Sequence, residues 1–179
     1  MNLRMDAGEP RILISGAGNV LRGDDGFGII LAGRLAEAGL PDSVTIMESG
    51  MAGLTLVQEM LNGYQGVIVL DVVVRNKPPG TLVLLEPRAA QVSALSDAQR
   101  AGFQTNTHET DPSRSFFLAQ AMGCMPPRAR VLGCEPLRVD DCISELSAPV
   151  AAALPEAERM VVTTVHQWLA EIAAEPVPA

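Results

Sequence analysis

The chain has 179 residues, 47% of them hydrophobic but only 3% aromatic, and carries a formal net charge of −8. Its length and hydrophobic content fit a single domain spanning residues 1–179, with a core of Val, Leu, Ile, Ala and Met, and argue against disorder. The acidic balance and the scarcity of aromatic rings argue against a nucleic-acid or anionic membrane surface, and a cationic or metal-bearing partner suits that charge better.

Met1 to Pro10 is polar, carries Asp6 and Glu9, and lacks the apolar run of a signal peptide. No segment offers about 18 uninterrupted apolar residues, so no membrane span is expected. Cys124, Cys134 and Cys142 have no CxxC or Cys–His spacing, and an odd number of scattered thiols suits a reducing cytoplasm. All three read as small buried hydrophobes. The expectation is a cytoplasmic, non-membrane protein.

In chain order, Arg11 to Ser15 reads as a first strand that runs into Gly16-Ala17-Gly18-Asn19. A helix follows from near Gly26, with Phe27, Ile30, Leu31 and Leu35 on one face, and Gly39 with Pro41 ends it. Val44 to Met47 is a second strand. The helix after it carries Leu54, Val57 and Leu61 and ends at Asn62-Gly63. Gly66 to Val74 is apolar on both faces, as expected of a central strand covered by helices. Lys77-Pro78-Pro79-Gly80 turns into a strand from Thr81 to Leu85, and so short a connection favours an antiparallel partner. Ala89 to Thr110 loses all periodicity and reads as a functional or mobile loop. Ser115 to Met122 is helical, and Arg130 to Gly133 is a last short strand. A long helix spans about Ala148 to Ala174, with an interruption expected at Pro155. Residues 1–10 and 175–179 read as flexible ends. This alternation is the pattern of an α/β sheet.

The densest chemical signal is the stretch from Gly16 to Gly28, which carries Asn19, Asp24 and Asp25 among its glycines. A dinucleotide turn would need glycine at position 21, which is Leu21, and two aspartates at a helix start would repel a phosphate. No Gly-Lys-Ser/Thr follows, so a Walker A loop is excluded as well. Asp24 and Asp25 read either as helix caps or as a pair in which one faces a ligand while the other caps. Asp71 follows Val-Ile-Val-Leu at the carboxyl end of the central strand. A buried charge there needs donors or a cation, and ligands of open α/β sheets bind at that edge; a sheet-end capping role is equally open. His108, in the loop Asn106 to Asp111, reads on its own as a solvated residue, and His166 as part of an amphipathic helix. Together, two strand-end carboxylates and one imidazole make an O,O,N set for a borderline divalent metal such as nickel or zinc.

These residues resemble the [NiFe]-hydrogenase maturation endopeptidases. The likeness runs from Gly16-Ala17-Gly18-Asn19 with Asp24-Asp25-Gly26-Phe27-Gly28 through Glu48 to Leu54, Ile68-Val69-Leu70-Asp71 and the His108 loop. It continues to Leu132-Gly133-Cys134-Glu135-Pro136 and the helix opening at Leu146 to Val150. The resemblance implies a three-layer α/β/α sandwich around a mainly parallel, twisted five-stranded sheet. It implies that Asp25, Asp71 and His108 are at once the metal-contacting and the catalytic residues, with Glu48 a lesser recognition candidate. It further implies that the protein cuts the C-terminal extension from a hydrogenase large-subunit precursor, with nickel supplied by that substrate. Met51-Ala52 stands where relatives often have Gly-Thr, so no loop hydroxyl is assigned a role. No serine-protease elbow, HExxH helix or Cys–His pair is present, in line with this family. A monomer is expected. A non-catalytic nickel-binding chaperone and, more remotely, a nucleotide-binding α/β domain are the competing functions.

Overall fold

The computed structural model describes residues 10–51, 53–87, 112–140 and 142–175. Five strands, β1 (Ile12–Ala17), β2 (Val44–Gly50), β3 (Gly66–Val72), β4 (Leu82–Leu85) and β5 (Arg128–Cys134), form one sheet in the order β2-β1-β3-β5-β4. All neighbours are parallel except β4 and β5. The described helices are α1 (Phe27–Glu37), α2 (Gly53–Met60), α3 (Pro112–Ala121) and α4 (Ala148–Ala174).

Strand alternation divides the apolar residues between two cores. Ile12, Ile14, Ile68 and Leu70 face Phe27, Leu31 and Leu35 of α1 and Val161, Val165 and Trp168 of α4. Leu13, Val67 and Val69 face Leu56, Val57 and Met60 of α2 and Phe116 and Ala119 of α3. Strands covered on both faces must be apolar at successive positions, which is why β1 and β3 read as continuous hydrophobic runs. The result is the expected three-layer α/β/α sandwich, five-stranded and mainly parallel.

β4 is antiparallel, as its short connection favours, but its partner is β5 rather than the preceding β3. The link from β3 crosses the end of β5, where Glu135 holds it. The Glu135 carboxylate accepts the amides of Arg75 (2.8 Å) and Asn76 (3.1 Å), and its own backbone bonds Gly80 and Thr81. Helix α4 runs through Pro155 without interruption; the ring lies on the exposed side, as does Ala151, whose carbonyl loses its amide partner there. Its buried residues Val150, Leu154, Ala157, Val161, Val165 and Trp168 recur every three or four positions and form one stripe. Glu175, expected to fray, pairs with Arg128 of β5. Among the described residues no helix is long and apolar enough to cross a membrane.

Candidate functional site

The order in which strands are added to the sheet reverses between β1 and β3, which are themselves parallel. From β1 the chain passes through α1 on one face to β2; from β2 it passes through α2 on the other face to β3, on the far side of β1. The carboxyl ends of β1 and β3 therefore open a crevice, the usual ligand position of an open α/β sheet. Asp71 lies at the end of β3, paired in register with Gly133 of β5. Asp25 lies just beyond β1, in a 3-10 turn (Gly23–Gly26) that touches β3.

Two glycines make this approach feasible. Gly18 has φ +111°, a left-handed conformation that side chains resist, and a Cβ there would overlap the Asp25 carbonyl oxygen. A Cβ on Gly28 would overlap the Leu70 and Ala17 carbonyl oxygens, so the start of α1 sits directly on the ends of both strands. Between these points the Asn19 amide donates to the Asp25 carbonyl (3.2 Å) and the Gly18 amide to Gly50 of β2 (3.2 Å). The Asn19 side-chain oxygen accepts the Leu21 amide at 2.9 Å.

The adjacent aspartates have opposite environments, and neither caps a helix. Asp24 is fully buried and reaches across to the chain that follows β5. Its Oδ2 accepts the Leu137 amide (2.8 Å), the Arg138 amide (3.0 Å) and the Ser147 hydroxyl (2.9 Å), and its Oδ1 accepts the Ser147 amide (2.7 Å). Burial pushes its pKa up, but the bonds from Arg138, Ser147 and Leu137 outweigh it, so Asp24 stays ionised below the ordinary carboxylate range. Asp25 is 8% exposed, and its carboxylate meets the Asn19 amide and the Arg22 charge. Burial raises its pKa, opposed only in part by the Arg22 charge and the Asn19 amide. Asp24 is thus a clamp, whereas burial disfavours the charged form of Asp25.

Asp71 is 3% exposed, and its Oδ1 accepts its neighbour Val72's amide at 2.8 Å. Position parity places it with Val67 and Val69, on the α2–α3 side of β3. Glu48 is exposed on the edge strand β2, opposite Gly16. His108 and the rest of the Ala89–Thr110 stretch lie outside the described residues. Among the described residues no three of His, Cys, Asp and Glu converge to hold a metal ion.

Two features were not assigned a role in the sequence. Glu135 is a buried structural acid, detectable only as a charge directly after an apolar strand. Ser15 and Ser49 form a buried hydroxyl pair (2.9 Å) joining β1 to β2, and Ser49 donates on to the Gly16 carbonyl. The thiol set, read from the sequence as wholly buried, differs from that expectation. Cys134 is buried and Cys124 half-buried, but Cys142 is exposed, at φ +63°. Burial, then the charges of Asp24 and Glu135, push the Cys134 thiol up to about 12, so it is protonated and inert at neutral pH.

Residues 29–164 match the family model of the hydrogenase maturation proteases. The chain belongs to the hydrogenase maturation protease family. As a member it is an endopeptidase, a hydrolase of peptide bonds. The matched span includes Asp71 and His108 and begins four residues after Asp25. The chain is similar to the hydrogenase expression/formation protein HupD of Rhizobium leguminosarum bv. viciae, 33% identical over 168 residues, covering 93% of this chain and 80% of that protein. HoxM of Azotobacter vinelandii is 33% identical over 163 residues, covering 90% and 73%. Among solved structures, the hydrogenase maturating endopeptidase HybD from E. coli superposes with a TM-score of 0.68 at 25% identity, covering 88% of this chain and 93% of that one. A hydrogenase 2 maturation peptidase from a Thaumarchaeota archaeon gives 0.63 at 32% identity, covering 87% and 98%.

Proposed function

We propose that this maturation protease removes the C-terminal extension of a nickel-loaded [NiFe]-hydrogenase large-subunit precursor, and that Asp25, Asp71 and His108 contact the substrate's nickel. The observation that carries the reading is the contrast between the neighbouring aspartates. Four donors saturate Asp24, while Asp25 is buried at the crevice with its ionisation disfavoured. A carboxylate whose ionisation burial opposes gains from an arriving cation, which stabilises the charged form. Asp71, at the end of the neighbouring strand, supplies the second oxygen donor. His108 supplies the nitrogen that suits a borderline metal. Three protein ligands make an incomplete coordination shell, which fits a metal that arrives already held by the substrate.

In this reading the protein's part is to orient the scissile bond beside the nickel and to supply the carboxylates. Held there, the substrate's nickel would supply Lewis acidity towards the scissile carbonyl or the attacking water. A carboxylate takes the proton that water loses and returns it to the departing amine.

Intact-mass analysis of nickel-loaded precursor is the test. Wild-type protein removes the tail, and Asp71→Ala and His108→Ala lose removal by about a hundredfold or more, as expected when metal contacts worth several kcal/mol are lost. Wild-type processing by both variants would overturn the site. Precursor binding without any mass loss would assign a chaperone's role instead.

A further inference from the structure

Strands β1 and β2 fall out of step where β1 enters the site. Gly16 pairs with Glu48 and Ala17 with Gly50, so Ser49 is an extra residue on β2, a bulge in a parallel pair. Gly50, where β2 ends, has φ +55°, a left-handed conformation that side chains resist. Bulges interrupt pairing and re-aim the chain beside functional sites.

The Ser49 hydroxyl bridges this break. It donates to the Gly16 carbonyl at 3.2 Å and accepts the Ser15 hydroxyl at 2.9 Å. Ser49 has one hydroxyl proton, so the direction of both bonds is fixed. Both serines are buried, and Ser15 lies in an apolar layer, between Leu13 and Ala17 on β1 and in register with Met47 and Val69. A hydroxyl there costs its desolvation unless it is bonded, so alanine would suit a purely packing role better. Nor is Ser49 poised to attack a peptide bond, since its proton is bound to a carbonyl oxygen rather than to a base.

What the hydroxyl holds is the end of β1. Gly16 is closed off on the α1 side, where a Cβ would overlap the Gly28 carbonyl oxygen and the Ala32 Cβ, and Ser49 fixes it on the β2 side. Two residues on, the Gly18 amide bonds the Gly50 carbonyl beyond the bulge at 3.2 Å. Gly18 and Asn19 are the seat of Asp25. A Cβ on Gly18 would overlap the Asp25 carbonyl oxygen, and the Asn19 amide donates to that same oxygen at 3.2 Å.

We infer that Ser49 is a positioning residue of this endopeptidase: by tying Gly16 across the bulge it fixes the Gly18–Asn19 seat, and through that seat the place of Asp25 in the crevice. The inference rests on the role proposed for Asp25 and adds what sets its position. A misplacement of about 1 Å at a reacting group can slow turnover by about a hundredfold. The effect falls on turnover more than on binding, because the substrate's other contacts are untouched.

The test compares Ser49→Ala, Ser15→Ala and the double variant, in which stability and position separate. Ser15→Ala leaves the bond from Ser49 to Gly16 in place. Ser49→Ala breaks it and takes the acceptor from the Ser15 hydroxyl. The double variant also breaks it but leaves no hydroxyl without an acceptor, so it regains part of the lost thermal stability. Amide exchange at Gly18 and Asn19, followed by NMR, is expected to quicken at least about tenfold in Ser49→Ala and in the double variant. Both should process nickel-loaded precursor with kcat at least about tenfold lower and KM within about threefold of wild type. Ser15→Ala stays within about twofold of wild type in all three measurements. Unchanged exchange at Gly18 and Asn19 in Ser49→Ala overturns the inference, and so does a kcat that follows Tm across the three variants. If exchange quickens while kcat holds, Asp25→Asn decides. An Asp25→Asn variant that still removes the tail sinks the role proposed for Asp25 and leaves the tie as the hold on its position; one that fails to remove it sinks the positioning role of Ser49.

Discussion

Replacing Asp24 with Asn tests the division of labour between the two aspartates most directly. The substitution keeps the shape but exchanges one carboxylate oxygen for an NH2 group. The best orientation leaves oxygen at the Oδ2 position, where it still accepts Leu137, Arg138 and the Ser147 hydroxyl. The NH2 group then faces the Ser147 amide, so two buried donors oppose each other across 2.7 Å. An unsatisfied buried donor costs about 1–3 kcal/mol, and the remaining bonds lose their charge assistance. Relief of the desolvation of a charged group offsets part of this, leaving a net loss of about 2–4 kcal/mol. For a chain of this size that lowers Tm by about 5–15 °C. The loss also has a pH signature. Asp24 has a folded-state pKa below its unfolded value, so its contribution is complete above about pH 4 and is lost as pH falls through the folded value. The difference in urea midpoint between wild type and variant is therefore large at pH 7 and narrows towards pH 3. A Tm within about 1 °C of wild type at pH 7, or a pH-independent difference, would refute the clamp.

Asp25→Asn should behave in the opposite sense. Its folded-state pKa is raised, so its charge opposes folding increasingly as pH rises through the carboxylate range. The variant is expected to match wild type or gain up to about 1 kcal/mol at pH 7 in urea unfolding, yet to lose precursor processing. Iodoacetamide at pH 8 followed by peptide mass analysis should modify Cys142 in the native protein and spare Cys134, held at about 12 by burial, until the chain unfolds. Glu135→Ala strips the Arg75 and Asn76 amides of their acceptor and should cost about 1–3 kcal/mol, with faster hydrogen exchange across residues 73–81.

β1, β3 and α4 were legible because each is dictated by its own periodicity: strands buried on both faces, and one long apolar stripe. The neighbour of β4 was not, because it depends on where Glu135 pins the preceding link, a contact about 60 residues distant in sequence. Asp71 stood out because a charge ending an apolar central strand needs donors or a cation, with a sheet-end capping role equally open. The choice between Asp24 and Asp25 could not be made on local grounds, since the partners that saturate Asp24 lie 113 to 123 residues away. Cys142 was misjudged for the same reason. Residue type alone predicts a buried thiol, whereas the turn that exposes it is set by the bridge between Arg22 and Ile143.

The two aspartates are also coupled, and the coupling is measurable. A carboxylate whose ionisation burial opposes, as at Asp25, would relieve its burial by swinging the 3-10 turn towards water. Two constraints prevent this: Gly28 is seated on Leu70 and Ala17, and Asp24 ties the middle of the turn to the chain that follows β5. The bonds of Asp24 therefore hold Asp25 in its raised-pKa environment as well as stabilising the fold. Weakening them in Asp24→Asn should let the turn relax and bring the Asp25 pKa down towards the ordinary range, as followed by carboxyl 13C chemical shift against pH. The same relaxation should reduce precursor processing even though Asp25, Asp71 and His108 are all intact. It should also make the stabilities of the two Asn variants non-additive, because the benefit of Asp25→Asn shrinks once Asp25 can reach solvent. An unchanged Asp25 titration in the Asp24→Asn variant would show that Gly28 packing alone positions the turn, leaving Asp24 a stabilising clamp with no hold on the site.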